Sequence, residues 1–469
     1  MRLAFFYYLI FAVTATNAQS NNWSLQRCIN HALQNNVSVL QYQLQGEIIE
    51  NNLKQAKLNR LPTLNGSGSH NYNIGRSIDP FTNTFSTQTI QSNSFGLSTG
   101  VLVYGGNLVN KTIAQNSVAQ EANLAGTEVI KNQIALQVSS TYLMIIQAEE
   151  NLKVAQSQQD LTQNQLARAN KLAESGSINK SMVYSLRAQL ANDKVQIINA
   201  ENQIQLAYNT MINLLQLDEM TDFEVDDVRI EELPAMPKEN VAELFELSYS
   251  TLPEIRKAEL DINQSKIGEN IAASSLQPRL SAYGNINTVY SESGLVQVYT
   301  GDEIIPIGLT ETSNEVVYGV KPNYEFNKKS FSNQMGDNLG QSVGVSLSVP
   351  IFNGYRNKTS LENAKVSTKI SELNLESTKN QLKNDITNAY TNLKVAKSRY
   401  DAALLSIEAQ KQNFDFAQKR FEAGLSNSND LLTAKNQWFA AQLQLTNAKY
   451  EYVFRNLIIE FYKGNDLKL

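Results

Sequence analysis

Residues that could carry catalysis or bind a metal are few in this chain, and they lie far apart. The chain has two histidines, His31 and His70, and a single cysteine, Cys28. The histidines fall on different predicted elements, which argues against a zinc site or a histidine-centred triad. One cysteine cannot form an internal disulfide, so Cys28 is expected to be a small buried apolar group. The sequence predicts no metal and no other cofactor.

Carboxylates are numerous, but they are spread along predicted helix surfaces, where solvated charge is the usual interpretation. The densest acidic run is 217–240, which also contains Pro234 and Pro237. We interpret it as a solvated linker between two halves of the chain. The sequence contains no glycine-rich phosphate loop and no Gly-x-Ser-x-Gly motif. These observations argue against an enzyme.

Composition and the N-terminal residues restrict the class of protein further. The formal net charge of −5 is mildly negative, which argues against a nucleic-acid partner. Residues 1–18 have the features of a secretory signal peptide, with Arg2, an apolar stretch and small residues before Gln19. After this segment no apolar run approaches the ~20 residues of a spanning helix. The exported chain is therefore either periplasmic or crosses a membrane as a β-barrel.

The organisation of the chain is repeated. Gly106 and Gly354 lie in similar contexts 248 positions apart, and the same offset relates Gly176 to Gly424. Nearer the start of each copy the offset is 216, so the second copy contains 32 additional residues. Self-similarity of this length indicates a duplicated architecture. The predicted units are a first repeat at 19–216, the linker at 217–240, a second repeat at 241–462 and a tail at 463–469.

Each repeat contains two predicted strands with one apolar face. Phe95, Leu97 and Val101, for example, alternate with small polar residues and glycines. This alternation is typical of a barrel wall between lipid and a watery lumen, and a soluble sandwich with one wet face also shows it. Four strands cannot close, so a membrane barrel requires strands from further copies of the chain. The predicted strands are about 63–75, 93–104, 279–290 and 341–352.

Two proline-free segments, 107–173 and 355–421, are each about 100 Å long if they are helical. Their apolar residues repeat every seven positions in both copies, which predicts coiled-coil packing. Shorter helices are expected to return from the end of each. Helices are also expected before each pair of strands, at Ser24–Leu58 and Val241–Ser275.

The long helices end at two predicted tips, at 174–179 and 422–429. Gly176 and Gly424 fit helix C-caps, because glycine adopts the left-handed conformation without strain. The expected N-caps of the returning helices are Asn179 in the first repeat and Ser428 or Asn429 in the second.

This order of elements, and most closely the segment from Phe421 to Tyr450, resembles the TolC-type outer-membrane efflux proteins. The resemblance implies an α plus transmembrane β fold, namely an internally duplicated, long α-helical coiled-coil barrel. Four β-strands per chain would contribute to a shared trimeric, twelve-stranded β-barrel, with the linker 217–240 in the equatorial region. The resemblance also implies a homotrimer in outer-membrane lipid that docks a periplasmic adaptor (membrane fusion protein) and an inner-membrane pump.

The same resemblance assigns roles to residues near the tips. Asp430 matches an aspartate that the family places in a constriction of the tunnel, and Phe421 matches a tyrosine. Ser426, Thr433 and Met182 stand where the family has an arginine and two further aspartates, so the family's ionic links cannot close this channel. Adaptor docking is expected at the tips, at Gly176, Ser177, Asn179, Gly424, Leu425, Ser426 and Asn427.

The leading hypothesis is an outer-membrane channel-tunnel that exports small molecules or polypeptides. It would be the exit duct of a tripartite efflux or type I secretion system, opened by docking of the adaptor and pump. The alternative is a periplasmic coiled-coil scaffold without transport activity. The additional residues of the second repeat are expected in the loop 291–338, outside the cell, because both flanking strands return to helices on the periplasmic side.

Overall fold

A computed structural model describes residues 22–78, 83–87, 89–218, 223–226, 228, 230, 232–423 and 425–468. The predicted signal peptide at 1–18 and the tip residue Gly424 lie outside the described residues. The chain divides into two compact units. Among the described helices, none combines the length and the apolar character needed to span a membrane. The first unit contains Met1–Ile48, Ala119–Ile262 and Ile370–Leu469, and the second contains Ile49–Val118 and Asn263–Lys369.

The described chain alternates between helices and strands, numbered here in chain order. The helices are α1 Leu25–Asn35, α2 Val37–Leu58, α3 Leu108–Glu174, α4 Lys180–Leu215, α5 Val241–Thr251, α6 Pro253–Ser274, α7 Phe331–Asp337, α8 Arg356–Glu422 and α9 Ser428–Tyr462. The strands are β1 Asn22–Trp23, β2 Thr63–Asn73, β3 Ser77–Ile78, β4 Phe85–Ser86, β5 Ile90–Tyr104, β6 Glu224–Val225, β7 Arg279–Ser291, β8 Leu295–Leu309, β9 Val316–Lys328 and β10 Gly340–Ser348.

The first unit is mainly helical and has two large apolar clusters. One cluster joins α1, α3, α4 and α9 and includes the completely buried Cys28, Val138 and Tyr142. The other joins α5, α6, α8 and α9 around Leu244 and Ile386. Burying side chains of this size stabilises the fold by about 1.5–3 kcal/mol each. Cys28 is thus one of the apolar groups that hold the helices together.

The helical segments before the strand pairs are each interrupted once, where continuous helices were expected. α1 ends at Asn35, just before Asn36, and α5 ends at Thr251, just before Leu252. Asn36 is buried, and its side chain accepts a hydrogen bond from the Ser38 N–H and donates one to the Leu214 carbonyl. Leu252 precedes Pro253, which disfavours helical backbone in the residue before it. The Asn36 side chain therefore caps the start of α2 in the first repeat, and Pro253 starts α6 in the second.

The acidic linker, predicted to be solvated, is partly packed in the residues that the structure describes. Phe223 and Val225 are each 6% exposed. They alternate with Glu224 and Asp226, so one side of the segment packs while the other stays in water. The short strand β6 within it pairs in parallel with β1.

The second unit contains a four-stranded antiparallel sheet with the order β10-β7-β5-β2. Phe95 of β5 lies opposite Gly68 of β2 and Thr288 of β7, and Val345 of β10 lies opposite Ala282 of β7. Because side chains alternate across a strand, this register places the apolar positions of all four strands on one face. Serine, glycine and asparagine dominate the other face. Val345 is 71% exposed, so the apolar face is open along β10.

Two strand boundaries differ from the expected ones. β10 ends at Ser348 rather than at 352, because Pro350 has no N–H to donate to the ladder. β5 begins at Ile90 rather than at 93. Ile90 pairs with Asn73 and is 1% exposed, so burial extends the strand beyond the alternating segment.

The additional residues of the second repeat lie between β7 and β10. They form the hairpin β8–β9 and the helix α7. The Gln334 side chain of α7 accepts a hydrogen bond from the Ser291 N–H at 3.0 Å, which attaches the helix to the end of β7. Irregular pairing near Gly301 and Pro306 interrupts the alternation of β8, so the sequence pattern did not predict this hairpin.

The chain turns from strand to helix in the same way in both repeats. Gly106 and Asn107 have φ of 65° and 62°, and Gly354 and Tyr355 have φ of 64° and 62°. Two consecutive left-handed residues are uncommon, and the first position favours glycine because it lacks a Cβ. These corners connect β5 to α3 and β10 to α8 over a few residues.

Candidate functional site

The first tip joins α3 to α4 and is closed by backbone hydrogen bonds. The Ser177 N–H donates to the Leu172 carbonyl at 2.8 Å, and the Gly176 N–H donates to the Ala173 carbonyl at 3.1 Å. Gly176 has φ of 75°. This is the Schellman arrangement, which ends a helix at a left-handed residue. The predicted C-cap glycine therefore has the expected conformation.

An asparagine caps the start of both returning helices. The Asn179 side chain accepts a hydrogen bond in the first turn of α4, and the Asn427 side chain accepts one from the Asp430 N–H at 2.9 Å. An asparagine at this position satisfies an N–H group that has no partner within the helix. The expected cap of α9, Ser428 or Asn429, was wrong because the helix already begins at Ser428.

The second tip exposes a large apolar side chain. The Leu425 N–H donates to the Arg420 carbonyl at 2.9 Å, while the Leu425 side chain is 73% exposed. The neighbouring Ser426 hydroxyl is buried and has no hydrogen-bond partner among the described residues. A buried hydroxyl without a partner is destabilising. A docked group that approaches this hydroxyl would therefore gain a hydrogen bond.

Behind the tips, the two helical hairpins share an apolar core, the tip cluster. A cavity of about 550 Å³ lies beside this cluster, which is within the range of ligand and side-chain pockets. Its apolar lining includes Leu172, Ile178, Phe421 and Leu431. The buried members of the tip cluster are Ala169, Met182, Val183, Leu186, Phe414, Leu431 and Ala434.

An ion pair crosses between the hairpins at this cavity. Arg168 of α3 lies 2.7 Å from the Glu422 carboxylate of α8, with side chains 60% and 36% exposed. Hydrogen bonds from Gln418 and Arg168 hold the pKa of Glu422 below its usual value. Sequence reasoning missed this pair, because the repeat aligns Glu422 with Glu174 and no local spacing connects it to Arg168.

The predicted constriction residues do not share one environment. Phe421, Ser426 and Met182 line the same cavity, and Met182 is only 5% exposed. Asp430 and Thr433 are exposed in the first two turns of α9. Within one chain the structure therefore brings three of the five residues together and leaves the other two on the helix surface.

In the ranges that the structure describes, no three acidic, histidine or cysteine side chains converge as metal ligands would. His31 lies edge-on to Trp23 with ring centroids 5.0 Å apart, and His70 lies edge-on to Tyr72 at 4.8 Å. The tips thus present surfaces for packing and hydrogen bonding, together with the Arg168–Glu422 ion pair.

A family model accounts for most of this chain. The model of the outer membrane efflux protein family matches residues 28–215 and 249–457. The chain belongs to this family. Members of the family and its structural neighbours are channel proteins rather than enzymes. The protein is located in the outer membrane of a two-membrane bacterium and has a periplasmic extension.

Individual family members are distant in sequence. The outer membrane protein TolC from Salmonella enteritidis is 19% identical over 71% of this chain and 61% of its own length. TolC from Escherichia coli (strain K12) is 20% identical over 70% of this chain and 60% of its own length. The chain therefore aligns with about three fifths of these relatives. The Campylobacter jejuni CmeC outer membrane channel has a TM-score of 0.74 at 16% identity, covering 96% of this chain and 86% of that one, so the fold is shared.

Proposed function

We propose that this protein is the outer-membrane exit duct of a tripartite efflux or type I secretion system. Three copies assemble, and each chain supplies four strands to a shared twelve-stranded β-barrel. The long helices of the duplicated chain continue the barrel as a periplasmic tunnel. A periplasmic adaptor and an inner-membrane pump dock on the tunnel and open it. The cargo is a small molecule or a polypeptide.

The observation that carries this proposal is the two-faced sheet. Its outer strands, β10 and β2, each pair on one side only within the described chain. In lipid, backbone groups without partners cost several kcal/mol each, so both edges need further strands. Pairing β2 of one copy with β10 of the next satisfies both edges by one repeated contact. The apolar face then meets lipid, and the face of serine, glycine and asparagine meets water.

Adjacent residues on opposite faces of β10 test this proposal. Val345→Asp places a charge on the lipid face, where a charged side chain destabilises a barrel most near the bilayer midplane, whereas Ser346→Asp places the same charge in the lumen. We expect Val345→Asp to reduce the amount of trimer in outer-membrane fractions and to reduce efflux. Ser346→Asp should retain both. If the purified chain is a soluble periplasmic protein that neither variant changes, the scaffold alternative is favoured instead.

We assign adaptor docking to the two tips, Gly176–Asn179 and Gly424–Asn427. The exposed Leu425 side chain supports this assignment, because its apolar surface leaves water when another protein covers it. Docking at these residues also reaches the cavity between the hairpins, whose wall includes Phe421.

We assign the constriction to the same end of the tunnel. Asp430 and Thr433 are exposed on α9. We assign them to the axis of the trimer, where three carboxylates would attract cations. Phe421 and Met182 pack behind them, and Ser426 carries no charge. Closure therefore rests on helix packing around Phe414 and Phe421 rather than on ionic links to Asp430.

A further inference from the structure

One side of the hairpin β8–β9 is apolar and largely exposed. β9 pairs with β8 without interruption, so its alternate residues share one side, and the register adds their partners on β8. Six large aliphatic or aromatic side chains on this side are between 50% and 69% exposed. We call them the hairpin face: Tyr299, Ile304, Tyr318, Val320, Tyr324 and Phe326.

The hairpin face is large enough to form a protein interface. Tyr299 lies edge-on to Tyr324 with ring centroids 6.0 Å apart, so the aromatic side chains adjoin one another. An aromatic side chain has about 150–250 Å² of surface, so the six half-exposed side chains present roughly 600 Å² to solvent. Each partner in a stable complex buries ~800 Å². An exposed apolar patch of this size indicates an interaction site.

A partner is needed here, because an isolated two-stranded hairpin is only marginally stable in water. An added strand is a poor candidate for that partner. Pro306 in β8 and Pro322 in β9 have no N–H to donate to such a strand, and the pairing is irregular near Gly301. The face of the hairpin, rather than either edge, is therefore the surface that a partner covers.

The charges of the hairpin argue against lipid as the partner and favour a second copy of the chain. From the start of β8 to the end of β9 the sequence has five acidic and two basic residues, whereas elements that lie on membrane surfaces are rich in lysine and arginine. Glu303 and Lys321 lie opposite each other on the other side of the hairpin. Asp302 adjoins the hairpin face and is hydrogen-bonded to Tyr299. The face thus offers both an acceptor and tyrosine donors, so copies of it are complementary to one another.

The base of the hairpin is fixed to the sheet. The Gln334 side chain is 1% exposed and donates hydrogen bonds to the Ser291 carbonyl at 2.9 Å and to the Lys329 carbonyl at 3.0 Å. The Lys329 N–H donates to the Gly294 carbonyl at 2.9 Å. These bonds join the end of β7 to both ends of the hairpin. In a symmetric assembly every hairpin would therefore begin at an equivalent position.

We propose that the hairpin faces of three chains pack together outside the membrane, on the axis of the barrel. A twelve-stranded barrel has a radius of about 12 Å, given the spacing and tilt of its strands. The 13 residues of β9 span about 40 Å, so hairpins that begin on the rim are long enough to reach the axis and one another. Threefold symmetry gives each copy two identical neighbours, and one apolar face meets both of them only where it faces the axis.

This inference rests on the proposed duct function, which supplies three copies in one ring and places the end of β7 outside the cell. It gives the additional residues of the second repeat a role as a contact between chains that is separate from the barrel. Each chain contributes one face, so the apolar cluster is complete only in the trimer.

Consecutive residues of β9 distinguish the two sides of the hairpin. Val320→Cys places a thiol on the hairpin face, and Lys321→Cys places one on the charged side. A short bis-methanethiosulfonate reagent is added to intact cells, and the native thiol does not compete because burial raises the pKa of Cys28 to about 12. We expect Val320→Cys to give a dimer-sized product on a denaturing gel that dithiothreitol reverses. Lys321→Cys, the matched control, should react with a fluorescent methanethiosulfonate but form no dimer.

Native mass spectrometry of the purified variants separates the possible failures. A trimer in which Val320→Cys forms no more dimer than Lys321→Cys would overturn the inference and leave the duct function standing. A monomeric chain would contradict the duct function and the inference together. A nitroxide at Val320→Cys that is relaxed more by oxygen than by a nickel chelate, in phosphatidylcholine vesicles, would place the face on lipid and also overturn the inference.

A stability measurement provides a second test that needs no cross-link. Val320→Asp brings three carboxylates into an apolar cluster and should lower the temperature at which the detergent-solubilised trimer dissociates. Asn323→Asp adds the same charge on the opposite side of β9 and should leave that temperature unchanged. Equal dissociation temperatures for the two variants would show that the hairpin face is not buried between chains.

Discussion

The two hairpins have the same geometry but different interiors. Both long helices contain 67 residues, and both returning helices begin after an asparagine. The equivalent positions Leu166 and Phe414 differ, however, since Leu166 is half-buried whereas Phe414 is 3% exposed and stacks on Trp438 with ring centroids 5.1 Å apart. The second hairpin therefore has a bulkier seam near its tip.

Charged residues at equivalent positions of the two repeats differ in burial and in partner. Lys435 is buried, whereas the equivalent Arg187 is exposed and lies over the Tyr184 ring at 5.8 Å. Asp193 is also buried, and its counterpart is the buried Ala441. The first repeat thus supplies the carboxylate of the buried Asp193–Lys435 ion pair, and the second repeat supplies the ammonium. The two repeats keep the same backbone spacing, but at these positions their side chains differ and contact each other.

The largest expected effect concerns the aromatic seam. Phe414→Ala should destabilise the protein by about 3–5 kcal/mol, because it removes a buried ring and leaves a cavity against Trp438. Leu166→Ala removes a half-buried side chain and should cost only about 1–2 kcal/mol. Melting temperatures of the detergent-solubilised variants measure the difference. Equal losses would show that the two seams are packed equally well.

Closure of the proposed constriction should depend more on the packing of Phe421 than on the Asp430 carboxylate. Phe421→Ala should raise the resting conductance several-fold in planar bilayers, because packing at the tip is lost. Asp430→Ala should weaken cation preference and divalent-cation block without opening the pore. The reverse ranking, with an open Asp430→Ala pore and a silent Phe421→Ala, would reveal an ionic lock.

A smaller effect is expected at the tip glycines. Gly176→Val forces a β-branched residue into a left-handed conformation and should cost about 1–3 kcal/mol of local strain. Efflux should fall while the yield of trimer stays normal, with Ser177→Val as the unstrained control. Combining Gly176→Val with Gly424→Val tests both tips. Unchanged efflux in the double variant would count against docking at the tips.

The smallest effect is expected at the exposed ion pair. Glu422→Gln should change the free energy of unfolding by at most about 1 kcal/mol, because an exposed pair in water contributes little. The equivalent Glu174→Gln of the first repeat is the control. Thermal unfolding at low and high salt measures the difference, which added salt should reduce. A loss of several kcal/mol would mean that Glu422 is desolvated in the assembled protein.

Repetition and alternation in the sequence predicted the long helices, and the register of the sheet places the alternating apolar residues on one face. Other features needed contacts that no local pattern records. The N-cap Asn427 could have been found, since it lies 248 positions after Asn179, but the serine and asparagine that follow it fit a cap equally well. The buried Lys435–Asp193 ion pair had no signal, because Lys435 aligns with the exposed Arg187, Asp193 aligns with Ala441, and the pair joins helices from different repeats.

The polar face of the sheet has a consequence for what passes along it. Arg279 is the single charged residue on this face in the four described strands, and it lies at the first position of β7. In the proposed duct, this face would present mainly short hydroxyls, amides and bare backbone, which hold neither anions nor cations strongly. Such a lining would select little among solutes by their charge. The proposed duct would then leave the choice of cargo to the proposed pump, and one exit of this kind could serve chemically unrelated cargoes.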